Sequence, residues 1–251
     1  MNLASFLSGE FLMAAQVFAR IGAIFMFMPA FGETFVPVRH RLAAALVISL
    51  ALTPAVADGP VRLDRLSDIM FAFATEVTIG LWIGITGRIL LTGLQFAGYQ
   101  VGLISGLSNA FAPSMGSFQG STLISTGLML GAVALIFATD LHHMIIAAMV
   151  MSYDVFPVGP LMLADLSEQI VRAVSASFYL GLSIAAPFYV MGLLLNLGLG
   201  LTNRMMPNLP VFFVAAPVLI FAGLTVLVIA TPHMLAEFAD RFGAWLGLLV
   251  F

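Results

Sequence analysis

Six apolar runs follow one another along this chain, most of them long enough to cross a lipid bilayer. Phe11–Phe31 is interrupted only by Arg20, and Leu42–Ala57 is the shortest. Ile69–Gly98 carries Glu76 and Arg88, Thr122–Met151 is broken near Asp140, Val171–Thr202 contains Pro187, and Val211–Thr231 is clean. A helix needs about 20 apolar residues to span the hydrocarbon, so the order predicts six helices. Lipid admits only helices or closed barrels, and these runs lack the alternation of barrel strands. The fold class expected is therefore an all-α integral membrane protein, one membrane domain over 1–251. Composition excludes a water-soluble globule: 61% of residues are hydrophobic and 8% charged, against about 25% charged in soluble domains.

Two runs, Ile69–Gly98 and Val171–Thr202, exceed one simple crossing. Either they tilt or overhang into water, or they kink or fold back at glycine and proline. Gly80, Gly84, Gly87 and Gly93 mark the first; Pro187, Gly192, Gly198 and Gly200 mark the second.

All nine cations are Arg, and the net charge of -3 provides no basic patch for nucleic acid. With no Cys, disulfides, thiolate metal sites and Cys nucleophiles are absent together. No cation precedes Arg20, so a cleavable signal peptide is not expected at the start. Arg39, Arg41 and Arg204 fall on one side of a six-helix topology and most acids on the other, which sets the N-terminus outside; Arg62, Arg65 and Arg172 count against it.

Three ionisable residues sit inside apolar runs: Arg20, Glu76 and Arg88. Each costs about 2.5–3.5 kcal/mol at mid-membrane by insertion scales. On one straight helix Glu76 and Arg88 stand roughly 18 Å apart along the axis, so each needs another partner, a cavity or an interface. Structural pairing is the expectation, ahead of a proton relay. The adjacent His142 and His143 diverge by about 100° on a helix and make a poor chelate, so no metal site is expected. Tyr153-Asp154 matches half of an intramembrane aspartyl protease pattern, but Gly198-Leu199-Gly200 runs on into Leu201 where that pattern needs Asp. No nucleophile set and no phosphate cradle stands out. An enzyme is not expected, nor a cofactor.

Gly98, Gly102 and Gly106 recur every fourth residue and share one helix face. Small residues so spaced let backbones approach, so this face is expected to pack on a helix of this chain or of a partner. From Ile89 to Thr139 no side chain is charged. Within that window 105–121 reads SGLSNAFAPSMGSFQGS, which is loop chemistry. Such a stretch is either an ordinary exposed connection or a neutral plug. Gly106, Ser108 and Pro113 would supply its turns, and Phe111, Met115 and Phe118 the apolar tips that stop a pore.

These pieces resemble, in order, one family. Arg20-Ile-Gly, Pro29-Ala-Phe-Gly and Pro37-Val-Arg are similar to the N-terminal signature of the FliR family of flagellar biosynthesis, which is shared with the T subunits of injectisome export gates. Gly102-Leu-Ile-Ser-Gly-Leu-Ser, Asp140-Leu-His-His-Met and Phe156-Pro-Val-Gly resemble its central stretch. Leu201-Thr-Asn-Arg-Met-Met-Pro, Val211-Phe-Phe and Ala216-Pro-Val-Leu resemble its C-terminal signature.

The resemblance implies a non-catalytic subunit of a type III export gate in the bacterial inner membrane, at the flagellar basal body. Its partners would be FliP-like (P) and FliQ-like (Q) subunits, with FlhB-like and FlhA-like components and membrane lipid around them. Its substrates would be unfolded rod, hook and filament proteins. It also implies long helices bent into hairpins, and a plug loop at Gly106–Ser121 with Asn109, Ala110 and Phe111 nearest the constriction. Two departures stand out. Ala112 precedes Pro113 where the family carries an acid, which removes charge-based gating there. Pro207-Asn-Leu-Pro replaces the usual Pro-Gln-x-Asn. A flagellar role is favoured over an injectisome role. A small-molecule transporter ranks lower, because Pro187 has no counterpart in a first half-repeat.

Overall fold

A computed structural model describes residues 3–56, 65–107, 120–156, 163–206 and 211–248. The described residues form seven helices and no strand. They are α1 (Leu3–Phe27), α2 (Val38–Val56), α3 (Leu66–Ile104), α4 (Gly120–Ala138), α5 (Leu141–Val155), α6 (Leu163–Met205) and α7 (Val211–Gly247). The fold is all-α. Five of these helices are long and apolar enough to cross a membrane. The sixth expected span is the pair α4–α5, bent by 76° at Thr139–Asp140, where the sequence breaks its apolar run. Asp140 takes a left-handed conformation there, φ 58°.

Both overlong runs are continuous helices rather than helix–turn–helix hairpins: α3 has 39 residues and α6 has 43, through Pro187. Hydroxyl groups fit these helices because each returns its proton to its own backbone. Thr75, Thr86 and Ser105 donate to the carbonyls of Phe71, Trp82 and Val101, one turn back. Thr202, Thr225 and Thr231 do the same. These six hydroxyl protons are therefore paired without a partner from outside the helix.

Exposure is inverted relative to a soluble protein. Large apolar side chains such as Val47, Phe221, Val228 and Ile229 lie open on helix surfaces, while Arg20, Glu33 and Glu76 are buried. An apolar surface of this extent belongs in lipid or against partners.

The chain divides into two compact units. The first comprises Met1–Ile89, Ile136–Ala173 and Phe242–Phe251; the second comprises Leu90–Leu135 and Val174–Arg241. In the first, α1 and the N-terminal part of α3 run in the same direction along a glycine seam. A Cβ on Gly80 would overlap the Arg20 carbonyl oxygen, and one on Gly84 would stand 3.0 Å from the carbonyl oxygen of Ile24. Ile21, Ile24, Phe25, Met28, Ile79 and Ile83 fill the core of this unit. The Trp82 indole N–H donates to the Leu166 carbonyl at 3.0 Å.

The second unit has its own core, including Leu91, Leu94, Ala97, Val101, Leu180 and Phe188. Here the end of α3 packs on α6, with the Phe96 and Phe178 rings stacked at 5.3 Å. The same stretch packs on α4, where the Gln95 amide meets the Met129 sulfur at 2.9 Å.

Candidate functional site

The three ionisable residues singled out in the apolar runs take part in two ion pairs, both inside the first unit. Arg20, on α1, has no exposed surface. Its Nε donates to Glu76 Oε2 at 2.6 Å, and its Nη2 to Glu76 Oε1 at 3.1 Å. This is a bidentate fork, the geometry that matches guanidinium to carboxylate. The remaining N–H groups reach the end of α5. Nη1 donates to the Ser152 carbonyl at 2.8 Å and to Ser152 Oγ at 3.3 Å; Nη2 donates to the Phe156 carbonyl at 2.9 Å. All five guanidinium donors therefore have acceptors.

The Tyr153 ring closes one face, with the guanidinium carbon 3.9 Å from its centroid. The last carbonyls of a helix lack partners within it and carry the negative end of its dipole. Arg20 meets both needs of α5 while neutralising Glu76 on α3. One side chain thus ties three helices.

Arg88 pairs elsewhere: its Nη1 donates to Glu33 Oε1 at 2.5 Å. Glu33 sits in the connection after α1, and its side chain is 1% exposed. The sequence reading missed Glu33 because it lies outside an apolar run. A signal was present nonetheless, since Glu33 is the one acid between Glu10 and Asp58. Glu76 and Arg88 share a helix without touching, each served from α1 or the segment after it.

The Gly98, Gly102 and Gly106 series lies in the second unit. Gly98 and Gly102 are buried. A Cβ on Gly98 would stand 2.6 Å from the Ser125 Cα of α4, so this glycine meets a helix of the same chain. Gly106 ends α3 in a left-handed conformation, φ 69°, open to glycine at little cost. Just before it, Ser105 is fully buried, its hydroxyl bound to the Val101 carbonyl. The Ser105 Cβ lies where a side chain on Gly223 of α7 would be, and Leu219 Cβ is 3.9 Å from the Cβ position of Gly106. The N-terminal root of the neutral loop is therefore seated on α7. Ser108, Asn109, Ala110, Phe111, Pro113, Met115 and Phe118 lie outside the described residues.

The His142 and His143 rings approach to 4.1 Å rather than diverging. Together with Asp140 they are the His/carboxylate group among the described residues whose ligand atoms gather closely enough to hold a metal.

Two ion pairs that draw on ionisable residues of the apolar runs, one of them buried and saturated, and small-residue seams define a polytopic helical membrane protein. The family follows from comparison with known proteins. Residues 11–245 match the family described as bacterial export proteins, family 1, and the chain belongs to that family. It is 38% identical over 232 residues to the flagellar biosynthetic protein FliR of Caulobacter vibrioides, covering 91% of this chain and 92% of that one. It is 27% identical over 224 residues to the FliR of Escherichia coli, covering 88% and 85%. With the FliR of Bacillus subtilis it shares 26% over 219 residues, covering 85% and 83%.

Proposed function

We propose that this chain is a non-catalytic subunit of the flagellar type III protein export gate, set in the bacterial inner membrane at the flagellar basal body. The observation that carries the reading is the near full-length relationship to proteins named for flagellar biosynthesis. In this reading the subunit helps form and seal a pore through which unfolded rod, hook and filament proteins pass. P and Q subunits complete the pore, with FlhB-like and FlhA-like components beside it.

The seal is the uncharged stretch 105–121. Three properties support this role. The stretch carries no formal charge, so closing it over a low-dielectric path costs no ion desolvation. Its Phe and Met tips exclude water. Its root at Ser105–Gly106 is seated against Gly223 and Leu219 of α7.

Deleting Ser114–Gly120 and measuring ion leak across the inner membrane tests the seal. The expected result is raised conductance with the gate still assembled. Unchanged conductance with normal export refutes it. Two further measurements test the wider assignment: the chain should copurify with P and Q homologues, and its loss should abolish swimming.

A further inference from the structure

Three metal-ligating side chains converge where α4 gives way to α5. Asp140 is the left-handed residue of the break, and His142 and His143 begin the next helix. One ligand atom from each lies within 4.8 Å of the other two. Consecutive helical side chains ordinarily point about 100° apart, yet these two rings stand 4.1 Å centroid to centroid and 36° from parallel. The bend is what permits this, because His142 and His143 lie in a first turn with no helical turn stacked before it. Asp140 Oδ1 reaches toward His143 Nδ1 at 3.4 Å.

A separate observation concerns His142. Its ring packs against Phe137 at 5.4 Å, and its Nδ1 is buried without a hydrogen-bond partner. Buried polar atoms are nearly always paired. An imidazole packed against an aromatic ring, with one nitrogen unpaired, has spare coordinating capacity.

We propose that Asp140, His142 and His143 bind a divalent transition-metal ion of the zinc class and thereby lock the bend between α4 and α5. Two neutral imidazoles and one carboxylate form the donor set of an open zinc site, with the fourth position left to water. Imidazole nitrogens favour zinc, nickel or copper over magnesium and calcium. Ligands 2.0–2.1 Å from a tetrahedral zinc stand about 3.4 Å apart, so the group must contract slightly. Asp140 and His143 have exposed side chains, free to make that adjustment by rotating. A proton competes with the metal for each imidazole, so affinity falls as the medium is acidified.

The alternative is a plain hydrogen bond from His143 to Asp140 at a helix start, with no metal affinity. Titrating Zn²⁺ into the metal-stripped, tag-free full-length chain in detergent, against a chromophoric chelator, separates the two. The expected result is about one ion per chain, with D140N, H142A and H143Q each weakening binding at least about tenfold. H40A and H233A should leave it unchanged, and bound Zn²⁺ should raise the melting temperature of the wild type but not of H143Q. Should H142A fail to fold, D140N and H143Q decide, because both alter exposed side chains. Absence of Zn²⁺ binding by the wild type overturns the proposal, as does wild-type affinity in D140N and H143Q.

Discussion

Replacing Arg20 by Met keeps an unbranched apolar stem, though a shorter one, and removes all five donors. Glu76 then becomes a buried carboxylate without a counter-charge, and the Ser152 and Phe156 carbonyls lose the guanidinium. Breaking a buried pair from one side costs about 3–5 kcal/mol. For a chain of this size each kcal/mol shifts the melting temperature by about 2–4 °C, so Arg20→Met should melt about 6–20 °C lower. Glu76→Met leaves Arg20 charged among carbonyls and should fall in the same range.

The double substitution separates charge from packing. It removes both ions, and the Ser152 carbonyl keeps its bond from the Phe156 N–H at 3.0 Å. What remains is the orphaned Phe156 carbonyl and imperfect packing, about 1–3 kcal/mol. The double variant should therefore be more stable than either single one, by about 2 kcal/mol. Thermal unfolding in detergent followed by tryptophan fluorescence reads this directly, because Trp82 packs on Phe156 at 5.4 Å. If the double variant loses the sum of the two single losses, the two residues are uncoupled and the internal tie is wrong.

Other expectations are simpler. Gly80→Ala should destabilise by about 1–3 kcal/mol, since its Cβ meets the Arg20 carbonyl and the Ala23 Cβ at 2.8 Å. Gly127→Ala, with nothing within 4 Å of its Cβ position, should be neutral or stabilising by up to about 1 kcal/mol; melting curves of the pair decide. Trp82→Phe should cost about 1 kcal/mol by removing the indole N–H donated to the Leu166 carbonyl, and reduced yield of folded chain in membranes is the readout. Gly106→Ala should cost about 1–2 kcal/mol through backbone strain rather than overlap, because Leu219 is still 3.9 Å away. Melting temperature and ion leak should then move together if the end of α3 positions the seal.

Helix number and order were legible from hydropathy, because each run had to satisfy its backbone internally or stay out of lipid. The break at Asp140 was legible as well, since an acid in an apolar run marks where the helix leaves it. The helix ends were less so: α7 continues to Gly247, well past the clean run that closes at Thr231. His233, Glu237, Asp240 and Arg241 obscured it, and two of them are satisfied within the helix, Arg241 donating to Glu237 at 2.7 Å. Hydropathy reads such a polar turn as water, whereas an i,i+4 pair is compatible with continued helix. The identity of the ion pairs was not legible. Spacing excluded Glu76 with Arg88, but nothing in one sequence says that residue 20 meets residue 76 or that residue 33 meets residue 88. Those contacts depend on which helix faces fit, and the fit is set by glycines such as Gly80 whose value appears only beside another backbone.

The distribution of charge also separates the two units by the way they cohere. The first holds both buried ion pairs, and these are directional: moving Arg20 away from Glu76 exposes a charge to an apolar interior, at several kcal/mol. The second has no charged residue from Leu90 to Leu135, and its helices meet through glycine, serine and aromatic contacts. Each such contact is worth a fraction of a kcal/mol per atom pair and changes gradually with distance. Where the end of α3 meets α4 in that unit, one helix can shift against the other by trading one set of contacts for another, with no ion to strand. Ser105 and Gly106, at the end of α3, lie in the uncharged part of this unit. At Ser105–Gly106 the contacts to α7 are of this gradual kind, so substitutions there should change stability in small steps, whereas a substitution at Arg20 or Glu76 should cost several kcal/mol at once.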